Sequence, residues 1–320
     1  MNKAENHLDP SLEVTTEEQP LHSGASAESG ERKRNNPKQI AGKVIILIVL
    51  ILYLFSLFFP LYTVLITSFT TTAELSSTTS FIWFPKNFTF VNYARVFTED
   101  IWKDELGAPT LLVGFLNTMW MSLIPLIVGL IVSGLSAFAY TKIQFPGRER
   151  LFRFAFILST IPLGAFGIIS YTFYALLGWT GTPLPLIVPG LFGGMGTVFF
   201  LKMYYEGISD SIVEAARIDG LSTIGIFFKI MFPLAIPAFI AQFIFGFVGK
   251  YNAYLGPLLY LQDHKFFTLQ LVLANTESLF PKQENVHCAA AILGMLPLIV
   301  IYAFSQKLFI EGVAVGGVKG

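Results

Sequence analysis

Between two long apolar segments the chain reads Glu214-Ala215-Ala216-Arg217-Ile218-Asp219-Gly220, a short polar stretch. Ser211 stands three residues before Glu214, the spacing of a capping box, in which the Ser and Glu side chains each accept a backbone N–H at a helix start. Gly220 stands where a residue in the left-handed conformation would end that helix. The stretch therefore predicts a helix over residues 212–219 with a defined start and a defined end.

Three small or apolar residues of this helix, Ile212, Ala215 and Ala216, are predicted to share one face, because residues three and four apart lie on the same side. An alanine on that face lets the backbone of a partner approach closely. After Gly220, residues 224–231 can form a second helix that leads to Pro233. A capped helix in a loop is also an ordinary structural feature, so the spacing alone leaves open whether a partner binds here.

The composition places the rest of the chain in a membrane. Of 320 residues, 53% are hydrophobic and only 13% are charged, whereas about a quarter of the residues of a soluble domain are charged. The 21 basic and 21 acidic residues give a net charge of zero, which argues against nucleic acid as a main partner. Cys288 is the only cysteine, so an intrachain disulfide is excluded.

The first 36 residues differ from the rest. They are polar and charged and have few large apolar side chains, so we expect a disordered cytoplasmic tail. They do not have the form of a signal peptide, in which a short apolar core ends at a small-residue cleavage site. The first apolar run begins near Gln39 and is long, so we expect it to remain as a membrane span.

Six stretches are long and apolar enough to cross a bilayer, which takes about 20 residues of helix. They cover residues 40–68, 111–140, 151–177, 184–203, 234–260 and 289–310. The fourth is the weakest, since Pro185, Pro189 and several glycines interrupt it. Such residues are tolerated in spans where neighbouring helices satisfy the freed backbone groups.

The distribution of Lys and Arg predicts the orientation of the spans. Basic residues concentrate before span one, between spans two and three, after span four and in the C-terminal tail, whereas the alternate loops are poorer in them. We therefore expect both termini, and the loop that contains Glu214, to face the cytoplasm. The loop of residues 263–286 then lies outside, where its composition predicts an exposed polar segment.

The stretch from Glu214 to Pro233 resembles the EAA loop, through which the membrane subunit of a binding-protein-dependent ABC importer holds its ATPase. The family pattern reads Glu-Ala-Ala, three residues, Gly, nine residues, Ile, one residue, Leu, Pro. This chain has Glu214-Ala215-Ala216, Gly220, Ile230, Phe232 and Pro233 at those positions. The one departure is Phe232 in place of Leu.

Other segments resemble the smaller permease of maltose-type carbohydrate importers, and together they cover nearly the whole chain after the tail. They are Trp83-Phe84-Pro85, Asn92-Tyr93 and Val96-Phe97 in the outer loop, Pro146-Gly147-Arg148 in the first inner loop, and the C-terminal residues 312–320. Tyr251-Asn252-Ala253-Tyr254 with Pro257-Leu258 resembles a Trp-Asn-Glu-Phe, Pro-Leu element of span five. There Tyr replaces Trp and Ala replaces Glu.

The resemblance implies an all-α membrane protein with six transmembrane helices, the type I ABC importer permease architecture and both termini in the cytoplasm. It implies two contacts with the ATPase. The docking loop would contribute Glu214, Ala215, Ala216, Arg217, Asp219 and Gly220, and the C-terminal tail would contribute Gly316, Gly317 and Lys319. A frayed glycine-rich end is the alternative for that tail.

The implied partners are a second, homologous permease, two ATPase subunits and an extracytoplasmic solute-binding protein in a bacterial inner membrane. The sequence contains no phosphate loop of the form Gly-x-x-x-x-Gly-Lys-Ser/Thr, so ATP and Mg are expected in the partner ATPase and no cofactor on this chain. It has neither a metal-ligand spacing of His and Cys nor a catalytic nucleophile motif. We therefore expect a transport subunit and not an enzyme.

The substrate path is predicted from polar residues of span five, because an ionisable residue in a span is a functional candidate. Lys250 could bond sugar hydroxyls or a uronate in a polar cavity, or extend to the outer interface. Beside it lies Asn252, and Tyr251 and Tyr254 offer either aromatic faces to a sugar or ordinary packing. Gln242 could line the path or bond a neighbouring helix, and the second role is the one expected.

The resemblance implies carbohydrate, and specifically an oligosaccharide, as the cargo. One alternative keeps the architecture and moves polyamine, phosphate or amino acid. Another is an ion-coupled secondary transporter, which predicts inverted repeats with charged residues at mid-membrane. No clear repeat is present in the sequence, and that alternative leaves the capped loop helix unexplained.

Overall fold

The computed structural model describes residues 37–161 and 167–317, and within them every regular element is helical. The predictions for residues 1–36 and for Lys319 lie outside the described residues. The helices are α1 (Pro37–Ser68), α2 (Thr72–Ser77), α3 (Val91–Thr98), α4 (Lys103–Leu106), α5 (Thr110–Lys142), α6 (Arg148–Ser159), α7 (Gly167–Leu176), α8 (Leu184–Leu191), α9 (Met195–Glu206), α10 (Asp210–Ile218), α11 (Thr223–Ile226), α12 (Phe232–Leu234), α13 (Ile236–Tyr251), α14 (Leu255–Tyr260), α15 (Leu269–Ala274), α16 (Thr276–Leu279) and α17 (Glu284–Gly317). A π-helical turn (Phe227–Met231) joins α11 to α12, and a 3-10 turn (His264–Phe266) precedes α15.

Among the residues that the structure describes, four helical segments are long and apolar enough to cross a membrane: Ala41–Ser68, Thr110–Lys142, Leu184–Glu206 and Glu284–Ser305. A fifth is present if Thr223–Leu234 and Ile236–Tyr251 are counted as one broken span, and this pair is bent by 78°. The described part of the chain thus contains four or five candidate spans, where the sequence predicts six in the whole chain. The predicted third span contains α6 and α7, which flank residues 162–166 outside the described part, and α7 is apolar but short.

The chain divides into two units, residues 1–55 and 56–320. The described part of the first unit is the N-terminal portion of α1, and its side chains from Val44 to Phe55 are all large, apolar and exposed. A helix that is apolar on every side is typical of a membrane environment.

In the second unit, α5 is the helix against which α8, α9, α13 and α15 pack. Small residues allow the closest of these approaches, because they let two helix backbones come together. A Cβ placed on Gly190 of α8 would stand 2.7 Å from the Cβ of Pro125 on α5. Gly193, in the break between α8 and α9, has φ +77° and would collide with the carbonyl oxygen of Gly129. Of the glycines that interrupt the fourth predicted span, Gly190 and Gly193 are therefore the two that allow its close contact with α5.

The bend before α13 coincides with two prolines. Pro233 lies in α12 and Pro237 in the first turn of α13, and a proline both removes a backbone donor and clashes with the preceding turn of a helix. Between them Ala235 ends α12, and its N–H donates to the carbonyls of Met231 and Phe232 at 3.1 Å. The fifth predicted span is consequently broken near its N-terminal end.

The loop of residues 263–286 is not the exposed polar segment that its composition predicts. Leu269, Leu271 and Val272 of α15 are buried, and the Leu269 N–H donates to Thr118 Oγ1 of α5 at 2.8 Å. Asn117 Nδ2, also on α5, donates to the carbonyls of Lys265 and Phe267 at 2.8 and 3.0 Å. A few apolar residues within a polar loop find their partners on α5, and the average composition of a loop does not report that pairing.

A buried amide network connects α3 to α17. Asn285 Nδ2 donates to Asn92 Oδ1 at 2.7 Å and to the Thr70 carbonyl at 3.1 Å. Asn92 Nδ2 donates to the carbonyls of Ser68 and Thr70 at 2.8 and 2.9 Å. Both amides are almost fully buried, so each must be hydrogen-bonded to offset the cost of leaving water. Asn92 of the resemblance motif therefore has a structural role.

Candidate docking site and substrate path

Helix α10, the candidate docking helix, begins two residues earlier than the capping-box prediction. Ser209 is its N-cap, with an extended backbone, and its Oγ accepts the Ser211 N–H. The Ser211 hydroxyl lies 2.8 Å from that of Ser209, so the predicted capping box between Ser211 and Glu214 is wrong. Asp210 instead occupies the first turn, where a carboxylate interacts favourably with the positive end of the helix dipole.

The predicted end of the helix is confirmed. Gly220 has φ +81°, its N–H donates to the Arg217 carbonyl at 3.0 Å, and the Leu221 N–H donates to the Ala216 carbonyl at 3.0 Å. These two bonds are the pair of a Schellman motif, in which a left-handed residue lets the chain satisfy the last carbonyls of a helix. The docking helix therefore ends sharply at its C-terminal side.

The inner face of α10 is formed by Val213 and Ala216, which are both 3% exposed. They belong to a buried apolar cluster with Phe138 of α5 and Leu201 of α9. The prediction that Ala216 shares a partner-binding face with Ile212 and Ala215 is thus wrong. Helix α10 contacts the core through Val213. Ala216 follows three residues later and therefore lies on the same side of the helix.

The outer face of α10 contains Glu214, Ala215 and Ile218, which are exposed. Ile218 is 86% exposed, which is unusual for a large apolar side chain in a polar loop. Ile224, at the start of the next helix, is exposed as well. Sequence reasoning missed both isoleucines, although their signal was present: each is a large apolar residue beside the polar docking stretch.

The second helix of the loop forms where it was predicted. Ser222 caps α11 by accepting the Gly225 N–H at 3.1 Å, and the π-helical turn continues it to Met231. Phe227 and Met231 are fully buried and join the cluster beneath α10. A π-helical turn inside a helix is frequent at functional sites, and here only the three residues of α12 separate it from the bend into α13.

Lys142, the last residue of α5, holds α10 in place. Its Nζ donates to the Ile208 carbonyl and to Asp210 Oδ1, both at 2.5 Å, and Arg217 Nη2 donates to the Lys142 carbonyl at 3.5 Å. The hydrogen bond from Lys142 lowers the pKa of the Asp210 carboxyl, and the positive charges of Lys142 and Arg148 lower it further. The contacts adjoin a polar cavity of about 380 Å³ whose wall includes Arg148 and Lys202.

The predicted substrate-path residues separate into two groups. Tyr251 is fully buried and its hydroxyl donates to the Gly294 carbonyl at 2.8 Å, so its ring packs within the chain. Gln242 Oε1 accepts from Thr197 Oγ1 of α9 at 3.2 Å, which is the helix-to-helix role expected for it. These two side chains therefore hold helices together.

The other path residues stay accessible. Tyr254 is exposed, and Asn252 is exposed and accepts a long bond of 3.4 Å from Gln270 Nε2. Lys250 is half-buried, and its Nζ lies 3.3 Å from the point where a Cβ on Gly190 would stand. Its ammonium thus faces the end of α8, at the break in the fourth predicted span. At the C-terminus, Gly316 and Gly317 are the last residues of α17.

Comparisons with known proteins show which family the sequence resembles. The sequence profile described as "Binding-protein-dependent transport system inner membrane component" matches residues 129–315. The arabinooligosaccharides transport system permease protein AraQ of Halalkalibacterium halodurans is 30% identical over 263 residues, which are 82% of this chain and 91% of the relative. The polygalacturonan/rhamnogalacturonan transport system permease protein YtcP of Bacillus subtilis is 27% identical and covers 82% of this chain and 92% of its own.

A solved structure shows the same fold. It is the crystal structure of a bacterial ABC transporter involved in the import of the acidic polysaccharide alginate. The superposition has a TM-score of 0.72 and covers 85% of this chain and 98% of that one, at 20% sequence identity. The profile match, residues 129–315, contains all of α10 and the whole of α13.

Proposed function

Because this chain belongs to the family of binding-protein-dependent transport system inner membrane components, we propose that it is one permease subunit of an ATP-driven importer. It is a helical, multi-pass protein of the bacterial inner membrane and a carbohydrate ABC transporter permease. In the proposed complex it pairs with a second, homologous permease, two ATPase subunits and an extracytoplasmic solute-binding protein. Six spans and two cytoplasmic termini complete the proposed topology.

The observation that carries the proposal is the outer face of α10. The helix is fixed at both ends, and on its outer face Ile218 is almost wholly exposed. The carboxylate of Glu214 lies one turn away on the same face. Burial of apolar surface is favourable by about 25 cal/mol per Å², so an exposed isoleucine on a rigid helix suits a groove on a partner. We assign that groove to the ATPase, with Ala215, Asp219 and Gly220 beside it and the tail from Gly316 as a second contact.

The proposed mechanism is alternating access. ATP closes the two ATPase subunits, α10 moves with the groove that holds it, and the two permeases change from inward-facing to outward-facing. The binding protein then releases the solute into the cavity. ATP and Mg belong to the partner, since the chain has no phosphate loop.

The proposed cargo is a carbohydrate, and an oligosaccharide in particular. The names of the arabinooligosaccharide and polygalacturonan permeases support this class. Polyamine, phosphate and amino acid are the alternatives within the same architecture. The accessible side chains of Lys250, Asn252 and Tyr254 are proposed to line the path. An ammonium there can donate up to three hydrogen bonds to hydroxyls or to a carboxylate.

Affinity purification of the full chain from its native membrane, with mass spectrometry, tests the assembly. The proposal expects an ATPase with a phosphate loop and a second permease to co-purify. The variant Glu214→Arg is expected to lose the ATPase, whereas Glu284→Arg, an exposed acid at the other side of the membrane, should retain it. If the wild-type chain comes out alone or only as a homodimer, the importer assignment is overturned. If both variants retain the ATPase, α10 is not the contact.

A further inference from the structure

A single residue of α5 contacts both ends of the docking helix. The Lys142 side chain is only 4% exposed, and its Nζ donates to the Ile208 carbonyl and to Asp210 Oδ1 at the start of α10. At the other end of α10, Arg217 donates to the Lys142 backbone carbonyl. Asp210 and Arg217 are seven residues apart, which is about two turns, so both point to the same side of α10.

The end of α5 at which Lys142 stands is itself held. Arg148, in the first turn of α6, donates from Nη1 to the carbonyls of Thr141 and Ile143 at 3.3 and 3.4 Å. These carbonyls belong to the last turn of α5 and to its C-cap, where a helix has no partners of its own. A movement of α10 that pulls on Lys142 therefore acts on a helix end that Arg148 holds in place.

From that end, α5 extends to the outer side. It contains 33 residues, or about 50 Å at 1.5 Å per residue. Along this length it contacts α8, α9 and α13, and near its outer end Thr118 bonds to α15. A displacement of α5 therefore reaches the helices around Lys250 as well as the outer loop.

The other contacts of α10 are less suited to transmit movement. Val213 and Ala216 make apolar contacts, which have no preferred direction and allow sliding. The nearby ion pair of Lys202 with Glu206 lies wholly within α9, so it does not join α10 to another helix. Among the described residues, Lys142 is the one that joins α10 to a span by short, directional hydrogen bonds.

We propose that Lys142 is a positioning residue that transmits the movement of α10 to α5, and thereby couples the ATPase to the substrate path. The inference rests on the proposed function and adds the residue through which coupling occurs. Removing the hydrogen bonds from Lys142 to Ile208 and Asp210 leaves the outer face of α10 unchanged, so ATPase binding persists while coupling is lost. A merely structural role would reduce the two together.

The test uses the complex purified from the native membrane and placed in lipid vesicles. Its probe is the solute-binding protein isolated from the same host. Two quantities are measured: the ATPase retained per permease, and the factor by which the binding protein stimulates ATP hydrolysis. For Lys142→Met and Asp210→Ala we expect normal retention and stimulation reduced about 5-fold or more, the lower end of typical coupling between sites.

Two controls make the result specific. Lys142→Arg keeps a cationic donor and should keep most of the stimulation, and Lys202→Met breaks the ion pair within α9 beside the same cavity and should leave the stimulation intact. Normal stimulation in both Lys142→Met and Asp210→Ala overturns the inference. It is also overturned if stimulation falls only in proportion to a loss of retained ATPase. A wild-type complex without any ATPase overturns the proposed function itself, and the inference with it.

Discussion

Replacement of Gly220 should weaken ATPase binding in an order set by backbone conformation alone. Gly220 has φ +81°, and a Cβ built on it would meet no atom within 4 Å, so a side chain there causes strain without a clash. A residue other than Gly costs about 1–2 kcal/mol in the left-handed region, and Asn costs less because it tolerates that region. Proline cannot adopt this φ, removes the N–H that donates to Arg217, and costs about 3 kcal/mol or more.

The expected series of ATPase retention is Gly, Asn, Ala, Val and Pro, in decreasing order. A cost of 1–2 kcal/mol corresponds to about 5- to 30-fold in an equilibrium, which is the upper limit of the loss for Ala and Val. The assay is ATPase co-purified per inserted permease, with Gly196→Ala as the control, since Gly196 also has open space around its Cβ position but no positive φ. Equal retention in Gly220→Val and the control would refute the argument that the left-handed end of α10 shapes the contact.

Three further predictions address other parts of the molecule. Ile218→Asp should lower ATPase retention without changing the amount of inserted permease, because the side chain is 86% exposed and contributes little to the fold. An immunoblot of the permease in the membrane fraction checks the amount inserted. The lowered pKa of Asp210 means that its contribution to stability is complete above the usual carboxyl value of about 3.9 and is lost as the pH falls through the lower folded-state value. The difference in melting temperature between wild type and Asp210→Asn should therefore be constant from about pH 5 to 8 and shrink only in stronger acid. Gly129→Val should destabilise the packing of α8 on α5 by about 1–3 kcal/mol, because its Cβ would collide with the carbonyl oxygen of Gly190. A detergent melting curve that equals wild type would contradict this.

The two ends of α10 show which helix boundaries the local sequence can predict and which it cannot. Its C-terminal end was predictable because a glycine with φ +81° is a local requirement of the Schellman motif. Its start was not, since Ser209, Asp210 and Ser211 are all good N-cap residues. The contacts that select Ser209 come from Lys142, which is 68 residues from Asp210 in sequence.

The spans show a similar division. Length and hydropathy predicted the spans at residues 40–68, 111–140, 184–203 and 289–310, all of which are present as long apolar helical segments. The prolines that bend the fifth span were visible in the sequence, but the angle of 78° was not. Likewise the sequence shows that the segment of α15 contains leucines, but it does not show that they are buried. Only the fold shows that they pack against α5.

The sequence by itself determined the membrane class, the C-terminal end of α10 at Gly220 and the family resemblance, because these depend on composition and on residues within a few positions of each other. The tertiary structure alone decided which side of α10 is covered, that Tyr251 and Gln242 bond to neighbouring helices, and that Lys142 connects the docking helix to α5. These features depend on contacts between residues far apart in the chain. The free energy of such contacts comes from burial and from directional hydrogen bonds, which exist only when the helices are packed together.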